Sequence, residues 1–129
     1  MFKINADLKY TPTHEWVRKE KDYIVVGITD CAQHLLGDIV YIDMDNASNI
    51  LEKDKEVVVV ESVKAASSVY SPVNGMLVVF NTILNDSPEL INTDPYGNGW
   101  IFKAKVDNIT LAWENLLSSN DYQKLANKE

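Results

Sequence analysis

A single lysine stands at the centre of the part of the sequence that could do chemistry. Lys64 lies in the string VVVVESVKAASSVYSP, which runs from Val57 to Pro72. The β-branched run at its start favours a strand covered on both faces. Small residues follow the lysine, and Ser71-Pro72 then marks a turn. We therefore predict a β-hairpin with Lys64 at or near its tip, in a type I turn, since no Gly, Asn or Asp is there to favour another type.

Other chemical groups are sparse. His14 and His34 are separate histidines, and Cys31 is the only cysteine, so an intrachain disulfide is impossible. The sequence has neither a nucleophile-elbow serine nor a glycine-rich phosphate loop, and its His and Cys residues lack zinc-site spacing. Four acids in charged segments are better explained as solvated surface: Asp43, Asp45, Asp54 and Glu56. We predict no catalytic residues, no metal site and no enzymatic activity.

Composition excludes several classes of partner. The 129 residues include 46% hydrophobic ones, which suits one domain with one core. The net charge of −7 argues against nucleic acid and against an anionic membrane surface. No apolar run reaches membrane-spanning length, and the N-terminus resembles neither a signal peptide nor a transit peptide. We expect a cytoplasmic protein, without nucleic-acid or membrane partners, that is a monomer.

The periodicity predicts a mainly β chain. Strands are expected over residues 13–18, 23–28, 38–44, 57–60, 75–80 and 100–106. A short helix should follow the second of these strands, with Thr29 or Asp30 as its N-cap. A helical segment is expected over about 110–127. A glycine, three apolar residues and a polar end recur in 37–43 and 75–81, which suggests two similar halves packed as a sandwich.

Several motifs in the same order resemble the glycine cleavage system H protein family. The string ESVKAAS resembles its lipoyl-attachment motif. Four further segments resemble its other blocks: YTPTHEWV at 10–17; GITD at 27–30 with AQ at 32–33 and LGDIV at 36–40; SPVNG at 71–75; and DSPELIN at 86–92 with DPYG at 94–97 and GW at 99–100. The resemblance covers almost the whole chain.

That resemblance implies that Lys64 carries covalent lipoate, within a motif that includes Glu61, Ser62, Val63 and Ala65. It implies a single lipoyl-carrier domain over residues 1–129. The expected fold is a lipoyl/biotinyl-type β-sandwich (a barrel-sandwich hybrid) of two small antiparallel sheets, with a short helix after strand 2 and C-terminal helices.

The implied function is that of a non-catalytic carrier. Such a carrier takes the aminomethyl group of glycine from the pyridoxal-phosphate-dependent decarboxylase to the tetrahydrofolate-dependent aminomethyltransferase. Dihydrolipoyl dehydrogenase then reoxidises it, and a lipoate-attaching enzyme modifies it. Attachment to a swinging arm replaces diffusion by a high local concentration at each active site.

The family also folds its loaded arm into a surface cleft. By resemblance, Glu15 is the polar partner of the amine, with Thr13 and Ile28 as neighbours. Two positions depart from the family. Ser68 stands where many relatives have Asp, and Leu35 falls where some relatives have a histidine. The adjacent His34 cannot simply replace that histidine, because one residue turns a helix by about 100°.

Three other interpretations stay open. The chain could be an H-like protein that relays lipoate to other enzymes, or a lipoyl domain of a 2-oxo-acid dehydrogenase. The latter usually has acids directly around its lysine, whereas Val63 and Ala65 flank Lys64. It could also be an unmodified β-sandwich that only binds partners. A biotin carrier fits less well, since methionines beside the lysine are absent.

Overall fold

Two antiparallel sheets form the framework. The structure, a computed structural model, describes residues 2–44 and 48–128. The strands in these residues are β1 (Lys9–Tyr10), β2 (Glu15–Glu20), β3 (Tyr23–Ile28), β4 (Ile39–Asp43), β5 (Ile50–Leu51), β6 (Glu56–Ser62), β7 (Ala66–Tyr70), β8 (Gly75–Phe80) and β9 (Phe102–Lys105). One sheet has the order β1-β2-β3-β9-β8-β5 and the other β4-β6-β7. The prediction of a mainly β fold with two antiparallel sheets is confirmed.

Short helices connect and flank the sheets. They are α1 (Asp30–Leu36), a 3₁₀ turn (Thr82–Asn85), α2 (Leu90–Thr93), α3 (Ile109–Glu114) and α4 (Ser119–Ala126). Thr29, rather than Asp30, is the N-cap of α1, because its hydroxyl accepts from the Ala32 amide. None of the helices in the described residues has the length and apolar character needed to cross a membrane.

The main core lies between the two sheets. Alternate residues of a strand point to opposite faces, so Val17 and Val26 of the larger sheet face Val58, Val60 and the rest of this core. Burial of such side chains contributes about 1.5–3 kcal/mol each. The repeated segments found in the sequence lie in different sheets, since β4 belongs to the smaller sheet and β8 to the larger.

A second cluster covers the opposite face of the larger sheet. Trp16 and Val25 point to this face, where Tyr10, Cys31 and Tyr122 pack on them. Tyr122 comes from α4, and its ring stacks on Tyr10 with 4.5 Å between centroids. The C-terminal helix is therefore packed on β1, near the start of β2 and the end of β3.

Candidate functional site

Lys64 lies in the turn that joins β6 to β7, and we call these two strands with their turn the lysine hairpin. Strand pairing ends at Glu61 and Ala66, so Lys64 is at the tip, as the sequence predicts. The Ser62 amide donates to the Ala65 carbonyl at 2.7 Å. The Ser62 hydroxyl accepts from the Ala65 amide at 3.1 Å and from the Lys64 amide at 3.3 Å. A serine hydroxyl thus replaces the backbone carbonyl that normally closes such a turn.

A second contact joins the tip to the residue before β4, the neighbouring strand of the smaller sheet. The Val63 amide donates to the Asp38 carbonyl at 3.0 Å, just before β4. Val63 itself is 70% exposed, and Lys64 is also exposed. No carboxylate in the described part of the chain lies within ion-pair distance of the Lys64 ammonium. The backbone of the tip is therefore held while the amine projects into solvent.

Gly37 forms the surface beside the lysine stem. Its backbone has φ 80° and ψ −158°, a region that is essentially open only to glycine. A Cβ built on Gly37 would lie 3.6 Å from the Cε of Lys64, which is ordinary van der Waals distance. The backbone conformation at this position therefore requires glycine, and the aliphatic part of the Lys64 side chain passes beside it.

Asn92, in α2, forms side-chain hydrogen bonds to Gly37 and to residues on either side of it. Its Nδ2 donates to the Gly37 carbonyl and to Oε1 of Gln33, both at 2.9 Å, and its Oδ1 accepts from the Ile39 amide at 2.9 Å. These side-chain hydrogen bonds all go to residues more than fifty positions away. The sequence analysis missed this residue, because nothing in a local pattern reports so distant a partner.

A cleft of about 130 Å³ opens between the lysine hairpin and α1. The three residues expected at a docking cleft, Thr13, Glu15 and Ile28, all line it. The other lining residues come from the β1–β2 turn, α1, β6 and β7: His14, Ala32, Leu35, Leu36, Val60, Ser67, Ser68 and Val69. The two sheets and α1 meet here, so the cleft exists only in the folded chain.

Glu15 is the acid of this cleft, and only 1% of it is exposed. Its Oε1 accepts from the hydroxyls of Thr11 and Thr13, each at 2.5 Å, and its Oε2 accepts from the Tyr70 amide at 3.2 Å. Burial raises the pKa of Glu15, and these hydrogen bonds only partly oppose that effect. A buried carboxylate with three donors is well placed to take a cation as a further partner.

The positions that depart from the family have distinct surroundings. Leu35 lines the cleft with an apolar side chain that is 45% exposed. His34 is not among the cleft residues: its Nε2 lies 3.6 Å from Oδ1 of Asp30, and its ring lies 5.4 Å from that of Phe2. Ser68 lines the cleft and donates its hydroxyl to Glu56.

Other chemistry has little basis in the described residues. Their His, Cys, Asp and Glu side chains form no group of three that could hold a metal ion. Cys31 forms no disulfide and is buried in the second cluster. The chemistry of this surface therefore lies with an exposed amine and an acidic cleft beside it.

Comparisons with known proteins match this chain to one family over almost its full length. The family model described as "Glycine cleavage H-protein" matches residues 8–129. The glycine cleavage system H protein of Psychrobacter cryohalolentis is 52% identical over 124 residues, 95% of this chain and 98% of that protein. The H protein of Salmonella arizonae is 46% identical over the full length of both. A crystal structure of the Mycobacterium marinum H protein has a TM-score of 0.82 at 32% identity, covering 94% of this chain and 97% of that one.

Proposed function

This chain belongs to the glycine cleavage H-protein family, and we propose on that basis that it is a lipoyl carrier with lipoate on Lys64. The family predicted from the sequence motifs is confirmed. The family is not itself catalytic. The observation that supports Lys64 as the attachment site is its geometry: a turn tied to the scaffold by hydrogen bonds, with an exposed and unpaired amine in the described residues.

The residues around Lys64 fit the attached group. When bound, lipoate supplies a dithiolane ring that exchanges cargo with other enzymes. An arm of about eleven bonds would reach roughly 14 Å from the Cα of Lys64 at ordinary bond lengths. The Ser62 hydroxyl and the Val63–Asp38 bond hold the base of the arm, and Glu61, Ser62, Val63 and Ala65 form the motif that an attaching enzyme would contact.

The cleft is the proposed resting place of the loaded arm. Ile28, Leu35 and Leu36 offer apolar surface to the dithiolane. The carboxylate of Glu15 lies among them, with Thr13 donating to it, so a protonated amine on the cargo would find an acid that is already oriented. Enclosure keeps water from the cargo between enzymes.

The partners and setting follow from the same proposal. They are glycine decarboxylase, the folate-dependent aminomethyltransferase, dihydrolipoyl dehydrogenase and a lipoate-attaching enzyme. We also propose one carrier domain over residues 1–129, acting as a monomer in the cytoplasm. Size-exclusion chromatography with light scattering and cell fractionation test the last two points.

Intact-mass spectrometry tests the attachment site. Expressed with a lipoate source, the wild type should gain one lipoyl group, and Lys64→Arg should gain none. Lys55→Arg is a matched control, since Lys55 precedes the same hairpin and should leave the adduct in place. An adduct on Lys64→Arg, or none on the wild type, contradicts the assignment.

Glycine–bicarbonate exchange tests the carrier function. The lipoylated protein, mixed with a cognate decarboxylase, should support exchange, and the unmodified protein should not. A lipoylated protein that supports no exchange would contradict the carrier function and leave the relay of lipoate to other enzymes as the better explanation.

A further inference from the structure

The Tyr122 hydroxyl lies between two segments that form the walls of the cleft, the β1–β2 turn and α1. It is 2.7 Å from Nδ1 of His14, which lines the cleft, and 2.6 Å from the hydroxyl of Thr29, the N-cap of α1. Both distances are those of hydrogen bonds. Tyr122 itself is fully buried in α4. One phenol therefore contacts the β1–β2 turn on one side and the start of α1 on the other.

The two residues bonded to the Tyr122 hydroxyl, His14 and Thr29, position the walls of the cleft. His14 has φ +70°, a left-handed backbone that few non-glycine residues adopt. The carbonyl of His14 accepts from the Thr29 amide at 3.0 Å, so the same two residues are also joined through their backbones. Thr29 uses its hydroxyl to cap α1, and α1 carries the cleft residues Ala32, Leu35 and Leu36. A shift at either residue would move a wall of the cleft.

We propose that Tyr122 is a positioning residue: the C-terminal helix sets the width of the cleft by holding His14 and Thr29 together. This inference rests on the proposed function for its link to the lipoyl arm. The ring of Tyr122 is fixed independently of its hydroxyl, because it stacks on Tyr10 at an interplanar angle of 9°. Removing the oxygen alone should therefore loosen the cleft and leave the packing of α4 in place.

Amide hydrogen exchange in the unmodified protein tests the positioning role. In Tyr122→Phe, the Thr29 amide, which bridges the two walls, should exchange about tenfold faster, the effect of losing one or two buried hydrogen bonds. The Asn81 amide, bonded to the Ile101 carbonyl at 2.9 Å, serves as the reference in the same protein. No change at Thr29, or an equal change at both amides, overturns the proposal.

Tyr10→Phe is the matched control. The Tyr10 hydroxyl donates to the Asn5 carbonyl and accepts from the Asn5 amide, so Tyr10→Phe also removes a hydroxyl with two hydrogen bonds from a buried ring. It does not contact the walls of the cleft, and Thr29 exchange should stay at the wild-type rate. An equal acceleration in this control overturns the proposal.

A second variant covers the case in which Tyr122→Phe folds poorly. His14→Asn keeps a residue type that tolerates the left-handed backbone but is too short to reach Tyr122. It should raise Thr29 exchange by the same order, and a wild-type rate overturns the proposal.

The lipoylated protein then links the cleft to the arm. With cargo loaded and the acceptor enzyme absent, Tyr122→Phe should lose its cargo several-fold faster than wild type, measured as ammonia released. If Thr29 exchange is accelerated but cargo is lost at equal rates, the positioning role stands and sheltering by this cleft is contradicted. If both rates match the wild type, the positioning role is overturned and the carrier function is unaffected.

Discussion

The Glu15 carboxylate accepts a hydrogen bond from the Tyr70 backbone amide at 3.2 Å, and this bond joins the two sheets at the cleft. Glu15 begins β2 of the larger sheet, and Tyr70 ends β7 of the smaller one. Tyr70 belongs to the second strand of the lysine hairpin. The acid that we assign to the cargo therefore also fixes the position of the hairpin that carries the arm.

Replacing Glu15 should change how stability depends on pH. Burial raises the Glu15 pKa above its usual 4.5, so between 4.5 and the raised value the folded state binds more protons than the unfolded state. The contribution of Glu15 to the free energy of unfolding therefore falls as pH rises through that window. Glu15→Gln lacks this titration.

Urea unfolding at several pH values measures the effect. The stability of Glu15→Gln minus that of the wild type should be smallest at about pH 4 and should increase toward pH 8. A difference that is constant with pH would show that the Glu15 carboxylate is not destabilised by burial.

Substitution of Gly37 should cost stability through the backbone. Gly37→Ala places a side chain at φ 80° and ψ −158°, which should lower the free energy of unfolding by about 1–3 kcal/mol. The added methyl group would be 3.6 Å from Lys64, so a clash is not the cause. D-alanine, introduced by chemical synthesis, prefers the mirror-image backbone and should recover the loss. Equal destabilisation by both alanines in urea unfolding would contradict this explanation.

Removing the side-chain amide group of Asn92 should destabilise the segment around Gly37, beside Lys64. Asn92→Asp keeps the acceptor for Ile39 but deletes the donors to Gly37 and Gln33. We expect a loss of about 1–3 kcal/mol in thermal or urea unfolding. Thr93→Ala, one residue later and exposed, should stay within about 0.5 kcal/mol of wild type. Equal effects of the two substitutions would argue against a specific role for Asn92.

The contact between Ser68 and Glu56 predicts coupling between these two positions. Ser68→Asp would place a second acid against the carboxylate of Glu56. It should cost about 0.2–1 kcal/mol through like-charge repulsion across the strands. Glu56→Gln should remove most of that cost. A double-mutant cycle measures this, and zero coupling would show that Glu56 does not explain the serine.

The sequence by itself determined the lysine hairpin, the mainly β architecture and the family. These follow from local information: a β-branched run, a polar turn and motifs of consecutive residues. Lys64 can be recognised from the sequence because the residues that form a hairpin tip are neighbours in the chain. The resemblance also predicted Thr13, Glu15 and Ile28 as docking residues, and all three line the cleft, but it gave no reason for the burial of Glu15.

Only the tertiary structure decided how the cleft is built. Tyr122 meets His14 across 108 positions, and Asn92 meets Gly37 across 55, so no local pattern could reveal either contact. The same holds for Glu56, which reaches Ser68 from the other strand of the hairpin. Residues that present chemistry can be recognised from short strings, whereas residues that orient them are chosen by packing between distant segments.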